Sequence, residues 1–133
     1  MKTYSEIYHV QESDLDFLGH VNNKSYLDWM EKVAWAHAQS VGISHDMQKS
    51  LNRILAVYEH HMHYLGSCYA DDEIKLTTWV GEQLGCCRRE RFYEFIRLKD
   101  NKTVFKAESV YVCISLDTHR AKKIPDEFML AYI

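Results

Sequence analysis

The chain of 133 residues has few of the residues that break or divide a fold: one proline, Pro125, and five glycines. With no ring constraint before Pro125, helices and strands can run uninterrupted over most of its length. No repeat, low-complexity tract or Pro/Gly/Ser-rich linker divides it, so residues 1–133 are expected to form a single domain with a real core. No apolar run approaches the roughly 18 residues of a spanning helix, so no membrane segment is expected. The start, Met1-Lys2-Thr3-Tyr4-Ser5-Glu6, leads into no apolar stretch of the secretory kind, and a cytoplasmic protein is the expectation. Positive charge is not in excess: 16 Lys and Arg stand against 19 Asp and Glu, a formal charge of -3. That argues against general nucleic-acid affinity while leaving room for a local basic cluster that holds a phosphorylated ligand. The four cysteines, Cys68, Cys86, Cys87 and Cys113, form no C-x-x-C pair. Cys86 and Cys87 would alternate faces on a strand and so make poor partners, and reduced thiols are the expectation.

What is present is ample apolar surface: 47% hydrophobic and 13% aromatic residues, the composition of a folded globular protein. Residues 4–11 alternate Tyr4, Glu6, Tyr8 and Val10 against Ser5, Ile7, His9 and Gln11, which predicts a first strand. From Lys24 to Val41 the period changes to helical: Leu27, Met30, Ala34, Ala38 and Val41 recur on one face, widened by Tyr26 and Val33. Asn22 or Asn23 is positioned to cap this helix and Gly42 to stop it. Strands are predicted over Ile54 to Tyr64, Glu73 to Val80, Cys87 to Leu98 and Val104 to Leu116, with a hairpin turn at Asp100-Asn101. One long helix among mostly hairpin-linked strands is an α+β pattern, and the apolar helix must be wrapped by the antiparallel sheet.

Chemistry concentrates in one segment, Asp14-Leu-Asp16-Phe-Leu-Gly19-His20-Val-Asn22-Asn23. A carboxylate there can attack a thioester carbonyl or take a proton from water. The helix that follows leaves its first N–H groups unpaired, ready to hold a developing oxyanion. Gly19 permits a tight backbone approach. The plainer reading makes Asp14, Asp16 and the asparagines turn and cap residues, and periodicity does not choose between Asp14 and Asp16.

The string Asp16-x-x-Gly19-His20-Val21-Asn22-Asn23-x-x-Tyr26-Leu27-x-Trp29-x-Glu31 closely resembles the hotdog-fold acyl-CoA thioesterases of the 4-hydroxybenzoyl-CoA thioesterase type, in the branch that carries G-H-V-N-N. The order and length of the elements are similar over nearly the whole chain, through Tyr64-x-x-x-Cys68-Tyr69-x-Asp71-Asp72-Glu73-Ile74 to Ile124-Pro125. The resemblance implies a hotdog fold: an antiparallel sheet wrapped around one long central helix. It implies hydrolysis of an acyl-CoA thioester to free acid and coenzyme A, the coenzyme being part of the substrate, with no metal or redox cofactor. The family's catalytic carboxylate falls on Asp16, and the N–H that orients the carbonyl falls near Asn23. Gly19, Asn22 and Tyr26 fall on the substrate-binding part of the motif. A homodimer or homotetramer, with sites between subunits, is implied as well. Plant acyl-carrier-protein thioesterases share the H-V-N-N string but have asparagine where this chain has Leu18, so their mechanism does not carry over.

Three further groups invite two readings each. His20 can shuttle a proton beside Asp16 or anchor its loop by a hydrogen bond, and the anchoring role is favoured. His61 and His63 share a strand face opposite His60, a two-ligand set that is weak for a metal. Arg88, Arg89 and Arg91, continuing to Arg97 and Lys99, suit the phosphates of coenzyme A. They equally suit a solvated strand face paired with Glu90 and Glu94. Two rivals to an acyl-CoA hydrolase stand: an enzyme acting on acyl groups borne by acyl carrier protein, and a non-catalytic hotdog that only binds acyl-CoA. A desolvated carboxylate beside the thioester argues against the second.

Overall fold

The period-two patterns become a five-stranded antiparallel sheet in the computed structural model, which describes residues 2–133. Strands β1 (Thr3–His9), β2 (Ile54–Tyr64), β3 (Glu73–Leu84), β4 (Arg88–Arg97) and β5 (Lys102–Ile114) lie in the order β1-β3-β4-β5-β2. The inner face carries Tyr4, Glu6 and Tyr8 of β1 and Ile74, Leu76, Thr78 and Val80 of β3, as the alternation predicts. On β5 the fully buried set is Val104, Phe105, Ala107, Ser109 and Cys113, while Val110, Val112 and Ile114 stay half-buried. β1 and β2 are the sheet's edges.

Helix α1 (Asn23–Ser40) is about 27 Å long at 1.5 Å per residue, and the sheet curls around it. Its N-cap is Asn22, whose side chain accepts the Lys24 N–H at 2.9 Å. Tyr26, Trp29, Met30 and Val33 pack from α1 onto Ile74, Leu76, Tyr93, Phe95 and Phe105 in one core. Each such large side chain contributes about 1.5–3 kcal/mol by leaving water. Tyr26, Phe105 and Phe95 stack in series with centroids 5.0 Å apart at each step. A second core at the far end of α1 joins Ala38, Ile43, Val80, Cys113, Ile124, Phe128 and Tyr132.

Two short helices were not legible in the sequence: α2 (His45–Leu51), capped by Ser44, and α3 (Asp126–Ala131), which follows Pro125. Helices of six or seven residues have no stability alone and form because packing holds them. The cysteine expectation is also corrected. Cys86 and Cys87 are joined as a disulfide, whereas Cys68 and Cys113 are free and buried. The face-alternation argument failed because the pair lies in the β3–β4 turn, not on a strand.

Candidate active site

The signature segment folds as a small hairpin leading into α1. Leu15 and Val21 bridge, and the Asp16 N–H donates to the His20 carbonyl at 2.9 Å. The loop Phe17-Leu18-Gly19 closes with the Gly19 N–H donating to the Asp16 carbonyl at 3.1 Å. Gly19 holds φ +85°, the left-handed position that ends such a three-residue loop and favours glycine. Bonds to the β2–β3 connection hold the hairpin: His20 bridges Tyr69, and the Val21 N–H donates to the Cys68 carbonyl at 2.8 Å.

The two acids are both half-buried and make different contacts. Asp14 is occupied structurally, accepting from the Tyr8 hydroxyl at 2.7 Å and the Gln11 N–H at 2.8 Å. Burial, then this bond to Asp14, pushes the Tyr8 phenol up to about 12. The Asp16 carboxylate is 24% exposed and accepts from the Leu18 N–H at 2.9 Å through one oxygen. Its other oxygen lies 3.3 Å from His20 Nδ1. It is thus held in place yet open to a reactant.

His20, whose Nδ1 faces Asp16, lines a hollow of about 210 Å³ together with Asn23, Tyr26, Tyr64 and Gly66. Asn23 is the first residue of α1, and its N–H donates to no acceptor among the described residues. Its carbonyl accepts from the Tyr64 hydroxyl at 3.5 Å. Tyr26 is buried with its hydroxyl 3.4 Å from the Gly66 carbonyl, and burial raises its pKa above the ordinary phenol value. Asn22 is spent on the helix cap. Asp16, Gly19, His20, Asn22, Asn23 and Tyr26 therefore lie along one hairpin and the helix start it leads into, and His20, Asn23 and Tyr26 share the hollow.

The arginines are not. Arg88 is exposed, with its guanidinium 4.0 Å from the Tyr58 ring centroid. Arg89 is half-buried against the Gly81 carbonyl and Met129 Sδ, and burial lowers its pKa. Arg91 is buried, bonded to His37, Thr78 and Tyr132, and pairs with neither Glu90 nor Glu94. The expected solvated basic face therefore reduces to Arg88. His37, Thr78 and Tyr132 escaped the sequence reading altogether. A signal for Arg91 existed: it continues the inward face of Tyr93 and Phe95 at period two.

His61 and His63 do share a face, each 3.4 Å from a glutamate oxygen, of Glu59 and Glu108 respectively. His60, on the opposite face, bonds Ser109 Oγ at 2.6 Å, and burial lowers its pKa. Among the described residues no cluster of three His, Cys, Asp or Glu is placed to hold a metal. No helix among them is long and apolar enough to cross a membrane.

Residues 10–131 match the model of the thioesterase-like superfamily, and the chain belongs to that family. A search of curated proteins returned no match. Among solved structures the chain is similar to a 1,4-dihydroxy-2-naphthoyl-CoA thioesterase from Synechocystis. The TM-score is 0.88 at 17% identity, with 98% of this chain and 96% of that chain covered. It is similar to a Staphylococcus aureus protein solved in complex with CoA, with a TM-score of 0.90, 19% identity, and 98% and 81% coverage. A DHNA-CoA thioesterase from the same organism gives 0.86 at 19% identity, covering 99% of this chain and 89% of that chain. At these identities the likeness speaks for the fold, which is the α+β hotdog.

Proposed function

We propose that the protein hydrolyses acyl-CoA thioesters to the free acid and coenzyme A. The observation that carries this reading is an accessible carboxylate, Asp16, on the hairpin that leads directly into α1, whose first residue, Asn23, offers an unpaired N–H at the positive end of the helix. The carbonyl oxygen of the thioester accepts from the Asn23 N–H, which stabilises the oxyanion as it forms. Asp16 either attacks the carbonyl carbon, giving an acyl anhydride that water then opens, or draws a proton from the attacking water. In both routes the C–S bond breaks and the sulfur leaves as coenzyme A. His20 orients Asp16, and Arg88 meets the phosphates of the coenzyme. Membership of the thioesterase-like superfamily supports the reaction class.

The open edge of β2 suits self-pairing into a homodimer. Tyr64, at the end of β2, lies at its own helix start, whereas Leu55 and Val57, near its beginning, line a groove by the far end of α1. Antiparallel pairing of β2 with a second copy then sets each groove opposite the other copy's helix start.

A panel of acyl-CoA and acyl-carrier-protein esters, assayed with wild type and Asp16→Ala, tests the proposal. Turnover of a CoA ester that falls by three decades or so in the variant supports it. No turnover of any thioester, or equal activity of the two proteins, overturns it. Preference for carrier-bound esters would move the substrate to acyl carrier protein.

A further inference from the structure

The far end of α1 holds a charge that thioester hydrolysis itself does not use. Arg91 is only 7% exposed, yet the one arginine ion pair among the described residues is Arg97–Asp100. Its bonds all go to neutral groups. Nη1 donates to His37 Nδ1 and to Thr78 Oγ1, each at 3.0 Å, and Nη2 donates to the Tyr132 hydroxyl at 3.2 Å. His37 is kept neutral, because burial first and the Arg91 charge second push its pKa down to about 4. A guanidinium has five N–H donors, so two have no partner among the described residues. Leaving a buried cation without a counter-ion is costly, and an anion that completes the site recovers that cost.

Arg91 also lines a groove of about 220 Å³ whose walls include Ala34, Trp35, Leu55 and Phe128. Glu31, exposed on the same groove, makes no ion pair with Arg91. Room for roughly seven water-sized groups fits an acyl chain of medium length. Along α1 its lining residues run from Glu31 to Ala38, roughly 12 to 22 Å from Asn23 at 1.5 Å per residue. In the antiparallel pairing of β2 proposed above it faces the helix start of the second copy.

We propose that this groove takes the acyl chain and that Arg91 binds a carboxylate at the chain's distal end. The preferred substrates are then monothioesters of dicarboxylic acids. The inference rests on the thioesterase reading for its substrate, but the anion site stands on the groove and the uncompensated guanidinium.

Octanedioyl-CoA and octanoyl-CoA differ only in a distal carboxylate or methyl, so their kcat/KM ratio isolates the contact. Charge-assisted hydrogen bonds are worth about one to two decades. The ratio is expected to reach ten or more in wild type, to fall towards one in Arg91→Met and to be partly kept in Arg91→Lys. A wild-type ratio near one, or one unchanged in Arg91→Met, overturns the proposal. Calorimetry of wild type with the monomethyl ester of octanedioic acid and with methyl octanoate needs neither turnover nor a variant. Tenfold tighter binding of the acid form, with no thioester hydrolysed, would keep the anion site and remove the thioesterase reading. Equal binding of the two esters overturns the anion site even if Arg91→Met fails to fold.

Discussion

The two ends of α1 solve opposite problems with polar residues. At its start, Asp16, His20, Asn22 and Asn23 sit within eight residues of one another, half-exposed or exposed, with hydrogen bonds made mostly to nearby backbone. At its far end, His37, Thr78, Arg91 and Tyr132 come from four separate elements and are buried together. A site open to water leaves a carboxylate reachable, as chemistry at a carbonyl requires. Burial among neutral partners makes a charge expensive, and the Arg91 guanidinium sits there without a counter-ion among the described residues.

Removing Asp16 breaks the comparison most sharply. Asp16→Ala is expected to lose three or so decades of kcat/KM in steady-state assays while its melting temperature falls by only a few degrees, the cost of the lost Leu18 N–H bond. A larger fall in melting temperature with activity kept would return Asp16 to a structural role.

The far end should declare itself through pH. His37 holds a folded pKa of about 4, lowered by burial and then by the Arg91 and Lys2 charges, whereas the unfolded chain binds that proton near 6.5. Between those values the unfolded state carries more protons, so stability rises with pH. The contribution is complete above about 6.5 and is lost as pH falls to about 4. It amounts to about 3 kcal/mol at most. Urea unfolding at pH 4.5 and 7.5 should show a smaller pH dependence in His37→Gln than in wild type, and equal slopes would refute the assignment.

Asp14 sharpens the contrast within the first site. Asp14→Asn weakens its bonds to Tyr8 and to the Gln11 N–H, and is expected to cost about 1–2 kcal/mol in denaturant titrations. The smallest effect belongs to the cap. Asn22→Ala leaves the Lys24 N–H unpaired and should cost about 1 kcal/mol, a few degrees in a thermal scan.

Much of the fold was legible because long elements carry their period openly. The predicted strand over Ile54 to Tyr64 coincides with β2, and the helix over Lys24 to Val41 differs from α1 by one residue at each end. The helix-start cluster was legible too, since a turn, a cap and a helix start are local structures written in consecutive residues. Asp16 was separated from Asp14 by resemblance alone. The Cys86–Cys87 bond was missed because the strand pattern starts its strand at Cys87, whereas β4 starts at Arg88 and both cysteines lie in the β3–β4 turn.

By itself, then, the sequence determined the alternating strands, the amphipathic helix and the acid-turn-cap segment, because each depends on spacing between near neighbours. Only the tertiary structure decided the fate of the three arginines, the formation of α2 and α3, and the assembly of His37, Thr78, Arg91 and Tyr132. Those depend on burial, and burial is set by what the sheet brings together from residues as far apart as 37 and 132.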